Sequence, residues 1–183
     1  MTAFLRSMSI VLTSLSLAAC GETEPSFVCT GGFTGGMLTS STASCPGCQV
    51  DDASAAIDGN GDRAAYLIFN RSNVNPNGGQ VSLTAGGRSF PAGSTVGAFM
   101  RFPRSDQRGY TNISASFVTY LGGVQQEMVF GSRTNVGNIN GSGQTTFYGG
   151  ATSLAFDAVE AIASLGNTPE AATVELFEIC GAR

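Results

Sequence analysis

The chain has no histidine, no lysine and no tryptophan, and only 12% of its 183 residues are charged. Without histidine, a Ser-His-Asp triad, a Cys-His pair or a histidine-ligated metal cannot be assembled, and without lysine there is no Schiff-base amine. Carboxylates are the general acids and bases that remain. Asp106, Glu127, Asp157, Glu160, Glu175 and Glu178 are those that could face each other across a sugar cleft, as a glycosidase requires. None stands in a motif, and solvated strand faces account for most of them. No catalytic residue is therefore assigned, and a non-enzymatic role is expected. Aromatic platforms for a sugar are also few, limited among tyrosines to Tyr66, Tyr110, Tyr120 and Tyr148.

Glycine, at 25 residues, is abundant instead, and Ser, Thr and Asn supply the polar surface that charge does not. That composition fits a turn-rich β protein. The chain opens with Arg6 and then an apolar run over residues 8–17. This run is shorter than the ~20 residues of a membrane-spanning helix and reads as the core of an export signal. It ends Leu17-Ala18-Ala19-Cys20-Gly21, which resembles the lipobox of bacterial lipoproteins. The resemblance implies cleavage before Cys20, lipid on its thiol and anchoring in the cell envelope. An ordinary secretory peptide with a chance cysteine is the plainer alternative. Gly21 in place of Asp points to the outer membrane. The organisation expected is a signal peptide over 1–19, a lipidated tether over 20–26 carrying Glu22, Glu24 and Pro25, and one domain over 27–183. Cleavage removes Arg6 and leaves thirteen acidic residues against eight arginines, a net charge of −5. Nucleic acid, whose phosphates want a basic face, is excluded as a partner.

With Cys20 committed to lipid, Cys29, Cys45, Cys48 and Cys180 remain, an even number in an oxidising compartment. Four cysteines allow three pairings. The one expected joins Cys29 to Cys180, tying the start of the domain to its last strand, and Cys45 to Cys48 as a local clip. Closing a loop of about 150 residues restricts the unfolded chain by ~4–5 kcal/mol in the chain-entropy account. Cys45-Pro46-Gly47-Cys48 also has redox-motif spacing, but such a site needs a strand before it and a helix after it, and residues 39–44 read as a polar turn. A four-cysteine zinc site is the remaining alternative.

Strand signals recur at the spacing of a sandwich. Residues 64–69, 80–84, 95–102, 112–121, 124–130, 145–148, 156–162 and 172–179 read as strands, with Val81 and Leu83 on one buried face. Gly122-Gly123 between two extended runs marks a hairpin. In the last strand, Val174 and Leu176 look inward, a parity that also turns Glu178 inward. Helical signals are confined to residues 51–57 and to a turn near Pro169. The fold expected is all-β, an antiparallel jelly-roll-type β-sandwich.

Ala56-Ile57-Asp58-Gly59 resembles the signature of discoidin-like (factor 5/8 type C) domains, which are galactose-binding-like β-sandwiches. The likeness extends to residues 90–93 and to the closing strand 174–180. It implies a pairing of the terminal cysteines and a structural calcium at Asp58; the tryptophan usual after that signature is absent, and Ala65 and Tyr66 stand in its region. The residues themselves place oxygen side chains at alternate positions, Asp58, Asn60 and Asp62. Arg63 and Phe69 at the sixth and twelfth positions exclude an EF-hand. Two readings stay open: a calcium held by Asp58, Asn60, Asp62 and carbonyls, or an Asx turn needing no metal.

Three roles compete. In the first, the domain is a lipid-tethered binding module recognising a glycan or an envelope protein through loops 70–79 and 104–110. In the second it is an assembly component without a small ligand, and in the third a carboxylate-dependent hydrolase.

Overall fold

The computed structural model describes residues 32–33, 36–45, 47–69, 79–102, 113–130, 132–133, 145–166 and 171–182. Its elements are β1 (Met37–Ala43), β2 (Gln49–Asp51), the 3-10 helix η1 (Ala53–Ile57), β3 (Ala65–Phe69), β4 (Gly79–Phe90), β5 (Thr95–Arg101), β6 (Ile113–Leu121), β7 (Val124–Phe130), β8 (Ser132–Arg133), β9 (Thr145–Ala151), β10 (Phe156–Leu165) and β11 (Ala172–Ala182). They form a five-stranded sheet, β1-β4-β10-β6-β7, and a six-stranded sheet, β2-β3-β11-β5-β9-β8. Among the described residues every pairing is antiparallel. The expected all-β sandwich is what the chain adopts.

Alternation makes the core. Val81, Leu83 and Ala85 of β4, Ala115 and Phe117 of β6, and Val159, Ala161, Ala163 and Leu165 of β10 are all buried on the inner side of the five-stranded sheet. Leu67, Phe69, Ala98, Met100, Val174, Leu176 and Ile179 meet them from the other sheet. Phe33, Phe90 and Phe156 close one end, with ring centroids 5.3 Å apart for the first pair and 4.9 Å for the second. Gly181 is required there, because a Cβ on it would run into the Phe90 ring.

Two expectations are corrected. Residues 39–44 are not simply a polar turn: most lie in β1, which pairs with β4 from Met37↔Gly86 to Ala43↔Val81. A strand at a sheet edge needs no apolar run to be stable, since it pairs on one side only. Glu178 does not point into the core. A bulge after Leu176 shifts the register so that Glu178 pairs with Phe99 and Ile179 with Ala98. The extra residue, Phe177, exchanges the two faces of the strand. Ile179 therefore enters the core, and Glu178, although fully buried, lies on the outer side of the six-stranded sheet.

Cys45 and Cys48 are joined by a disulfide, with Cα atoms 5.3 Å apart. The segment after Cys48 is strand β2, not the helix a thioredoxin-like site requires. The bridge is a local clip and ties nothing to the last strand. Cys180 is also disulfide-bonded; Cys29, its expected partner, lies outside the described residues, as do Cys20 and the tether.

Phe117→Ala, which empties a fully buried position on β6, is expected to lower unfolding free energy by about 3–5 kcal/mol. Exposed Ser114→Ala on the same strand should change it by less than about 0.5 kcal/mol. Denaturant melts of the two variants check this pair, and equal effects would contradict the assigned faces of β6.

Candidate functional site

The alternation that sends apolar side chains inward sends Thr84, Tyr120 and Glu160 outward, onto the solvent side of the five-stranded sheet. Tyr120 stands beside Ala158, and Ala158 beside Gly86, so small residues on β10 and β4 leave the phenol ring room. Next to this row the ladder opens. Phe90 pairs with Phe156 and Gly86 with Ala158, so Gly87, Arg88 and Ser89 oppose the single residue Asp157. Gly87 makes the excursion with φ +100°, a backbone conformation that disfavours other residues. The result is a hollow of about 700 Å³ lined by Thr84, Arg88, Ser89, Tyr120, Asp157 and Glu160, with Gly86, Gly87 and Gly123 at its edges.

Every charged group in this hollow has a structural partner. Glu160 accepts hydrogen bonds at both carboxylate oxygens, from Ser82 Oγ at 2.6 Å and from Tyr120 Oη at 2.7 Å. Burial, then the hydrogen bond to Glu160, then that carboxylate's charge push the Tyr120 phenol up to about 12. Asp157 accepts from the backbone N–H of Gly122 at 3.0 Å and so holds the β6–β7 turn, in which Gly122 and Gly123 both have positive φ. Arg88 donates one of its five N–H groups to the carbonyl of Gly32 at 2.7 Å. The hollow therefore presents fixed hydroxyls, carboxylates and a guanidinium around one aromatic ring. Such a set can exchange several hydrogen bonds with a hydroxyl-rich ligand.

Glu127 and Glu175 have structural partners too. Glu127 accepts from Ser153 Oγ at 2.8 Å and from the N–H of Leu154 at 2.9 Å, pinning the β9–β10 connection. Glu175 pairs with Arg101, whose guanidinium lies 5.0 Å from the Phe177 ring centroid. Of the loops 70–79 and 104–110, expected to carry recognition, all but Gly79, which begins β4, lie outside the described residues, as do Asp106 and Tyr110. Tyr66 is on β3 of the other sheet, and Tyr148 is buried against Phe102 in the core.

The candidate calcium loop follows η1, whose Ala55, Ala56 and Ile57 are buried. Asp58 Oδ1 accepts from the N–H of Asn60 at 2.8 Å, and Asn60 Oδ1 from the N–H of Asp62 at 3.1 Å. These are successive Asx turns. Asp58 Oδ2 is taken by Arg63 at 3.0 Å, and Arg63 also reaches Asp52 at 2.9 Å. The hydrogen bond and charge of Asp52, with the charge of Asp58, raise the Arg63 pKa above its usual value. Among the described residues no three His, Cys, Asp or Glu side chains are grouped to hold a metal. Of the oxygens expected to converge on calcium, those of Asp58 and Asn60 accept from backbone N–H groups and from Arg63.

Sequence reasoning selected Tyr120, Asp157 and Glu160 only as members of longer inventories, and missed Thr84, Arg88 and Ser89. The available signal was Tyr120 two residues before the Gly122-Gly123 hairpin.

No family model matches the chain, and no curated protein matches it. Among solved structures it resembles one described as the structural basis for the promiscuous specificity of carbohydrate-binding modules from the β-sandwich superfamily. The TM-score is 0.50 at 12% identity over 85% of this chain, which spans 62% of that structure's length. A structure of TmCBM61 in complex with β-1,4-galactotriose matches at TM-score 0.43 and 10% identity, over 86% of this chain and 98% of that one. At such identities the first likeness establishes the β-sandwich fold.

A raised phenol pKa means stability that is complete below the ordinary value of 10.0 and lost as pH climbs through about 12. Ultraviolet titration of tyrosinate should find Tyr120 ionising near 12, and Glu160→Ala should lower that value while burial keeps it above 10.0. An unchanged titration would remove Glu160 as a cause. Millimolar calcium should leave the melting temperature unmoved, whereas Arg63→Ala should lower it slightly; a clear calcium-induced rise would restore the metal reading.

Proposed function

We propose that this is a non-catalytic glycan-binding module and that the hollow on the outer face of the five-stranded sheet receives the sugar. The observation that carries the reading is the Tyr120 ring, fixed through its hydroxyl by Glu160 and surrounded by Thr84, Ser89, Arg88 and Asp157. A sugar offers many hydroxyls that each want a donor or acceptor, and C–H groups on its ring faces that suit an aromatic surface. The likeness to a carbohydrate-binding β-sandwich supports the reading at the level of fold. Binding without turnover fits a site whose Glu160 oxygens both accept from side-chain hydroxyls, leaving neither poised as an acid or nucleophile.

The same proposal places the module at the outer membrane, held by lipid on Cys20 through the tether 20–26. Its support is the lipobox-like Leu17-Ala18-Ala19-Cys20. Calcium has no part in the proposed site.

Affinity electrophoresis of the full chain through gels containing neutral polysaccharides tests the binding. At least one polymer should retard the wild type, and Tyr120→Ala should weaken that retardation about tenfold or more, the loss of roughly 1.4 kcal/mol or more. Equal migration in every gel would sink the reading. Anchoring is checked by metabolic labelling with palmitate: label should follow the protein into membranes and vanish in Cys20→Ser, and an unlabelled soluble wild type would refute it.

A further inference from the structure

We infer that the ligand is an extended, uncharged polysaccharide chain, not a lone terminal sugar, and that Phe130 and Met128 on edge strand β7 form its second point of contact. The inference rests on the glycan reading of the hollow and adds the direction and extent of the chain. Along β6, Ala115, Phe117 and Thr119 turn inward, leaving Ser116, Val118 and Tyr120 on the outer face. Met128 stands directly opposite Val118, and Phe130 opposite Ser116. Residues opposite each other in an antiparallel pair share a face. Phe130 and Met128 therefore lie on the face that holds the hollow, while Val129 between them packs against the core.

Both are unusually open to solvent. Phe130 is 74% exposed and Met128 47% exposed. A phenyl ring held out on a folded sheet forgoes the burial that drives folding, which makes it a candidate contact for something outside the domain. From Tyr120 to Ser116 is four residues of β6, about 13 Å at roughly 3.3 Å per residue. That is too far for one pyranose ring to touch both ends, and it suits several linked units. The floor between them is low: Val118 with Glu160 opposite it, then Ser116 with Ile162 opposite it. A polyanionic glycan would meet two carboxylates, Glu160 and Asp157, against the single Arg88 guanidinium, whereas the apolar face of a neutral sugar can lie on the Phe130 ring, C–H groups against its negative π surface.

The full chain is first run in affinity gels containing β-1,4-galactan, β-mannan, mixed-linkage β-glucan or xylan, with polygalacturonate as the charged polymer. Calorimetry then follows a ladder of oligosaccharides, from mono- to hexasaccharide, cut from whichever neutral polymer retards the wild type. Affinity should rise about tenfold or more between disaccharide and tetrasaccharide. Phe130→Ala should remove most of that gain and leave monosaccharide affinity unchanged, and Phe130→Tyr should restore it. Circular dichroism verifies that each variant is folded. If Tyr120→Ala abolishes binding while Phe130→Ala matches the wild type, or the ladder is flat, the second contact falls and the hollow stands. Retention by polygalacturonate alone overturns the uncharged chain. Sedimentation showing a wild-type dimer that Phe130→Ala converts to monomer makes β7 a self-pairing edge and overturns the inference. No retention in any gel removes both this inference and the reading on which it rests.

Discussion

Strand β10 is the constraint on which the rest of this domain hangs. It lies between β4 and β6 and pairs with both along nearly its whole length. Because a one-residue slip would exchange its two faces, the inward set Val159, Ala161, Ala163 and Leu165 fixes the register of both neighbours. The outward set is fixed with it. Glu160 is thereby brought between Thr84 and Val118, within reach of Ser82 on one side and Tyr120 on the other. Core and site are two sides of one pairing: the small inward alanines let the sheets approach, and the same strand carries the carboxylate that fixes the aromatic ring outside.

Irregularities in the ladder then make the differences that regular pairing cannot. At the start of β10, three residues of β4 oppose one, which lifts Arg88 and Ser89 beside the hollow. In β11 a single extra residue exchanges the faces and takes Glu178 off the core side. Both are bulges, and both sit where an uninterrupted strand would have placed a side chain wrongly for its chemistry.

This is also why the fold was far more legible than the site. Alternation is a local signal, and Gln80 to Thr84, Ile113 to Leu121 and the Gly122-Gly123 hairpin carry it openly. Strand β1 was hidden because an edge strand of Ser and Thr has no apolar face to betray it, and the far half of β4 because Gly86 and Gly87 interrupt its pattern. Glu178 was misplaced because a bulge leaves no mark on composition. The hollow gathers Thr84, Arg88 and Ser89 of β4, Tyr120 of β6, and Asp157 and Glu160 of β10, from three strands. Their adjacency exists only after β10 has paired, so no linear motif could announce it. The Asp58-to-Asp62 pattern shows the reverse case: a spacing that suggests a metal, folded into turns closed by backbone N–H groups and by Arg63.

The turn tied down by Asp157 bears on how ligands would be received. A Gly-Gly hairpin is among the loosest connections a chain can make, since neither residue restricts its own backbone. Here the N–H of Gly122 is fastened to a carboxylate on the neighbouring β10, and Gly123 borders the hollow. The entropy of ordering that rim is therefore spent during folding instead of at each encounter. A rim ordered in advance would let any surface that binds there keep more of its contact energy as affinity and discriminate by shape, since it would have little freedom to mould itself around a poorly matched guest.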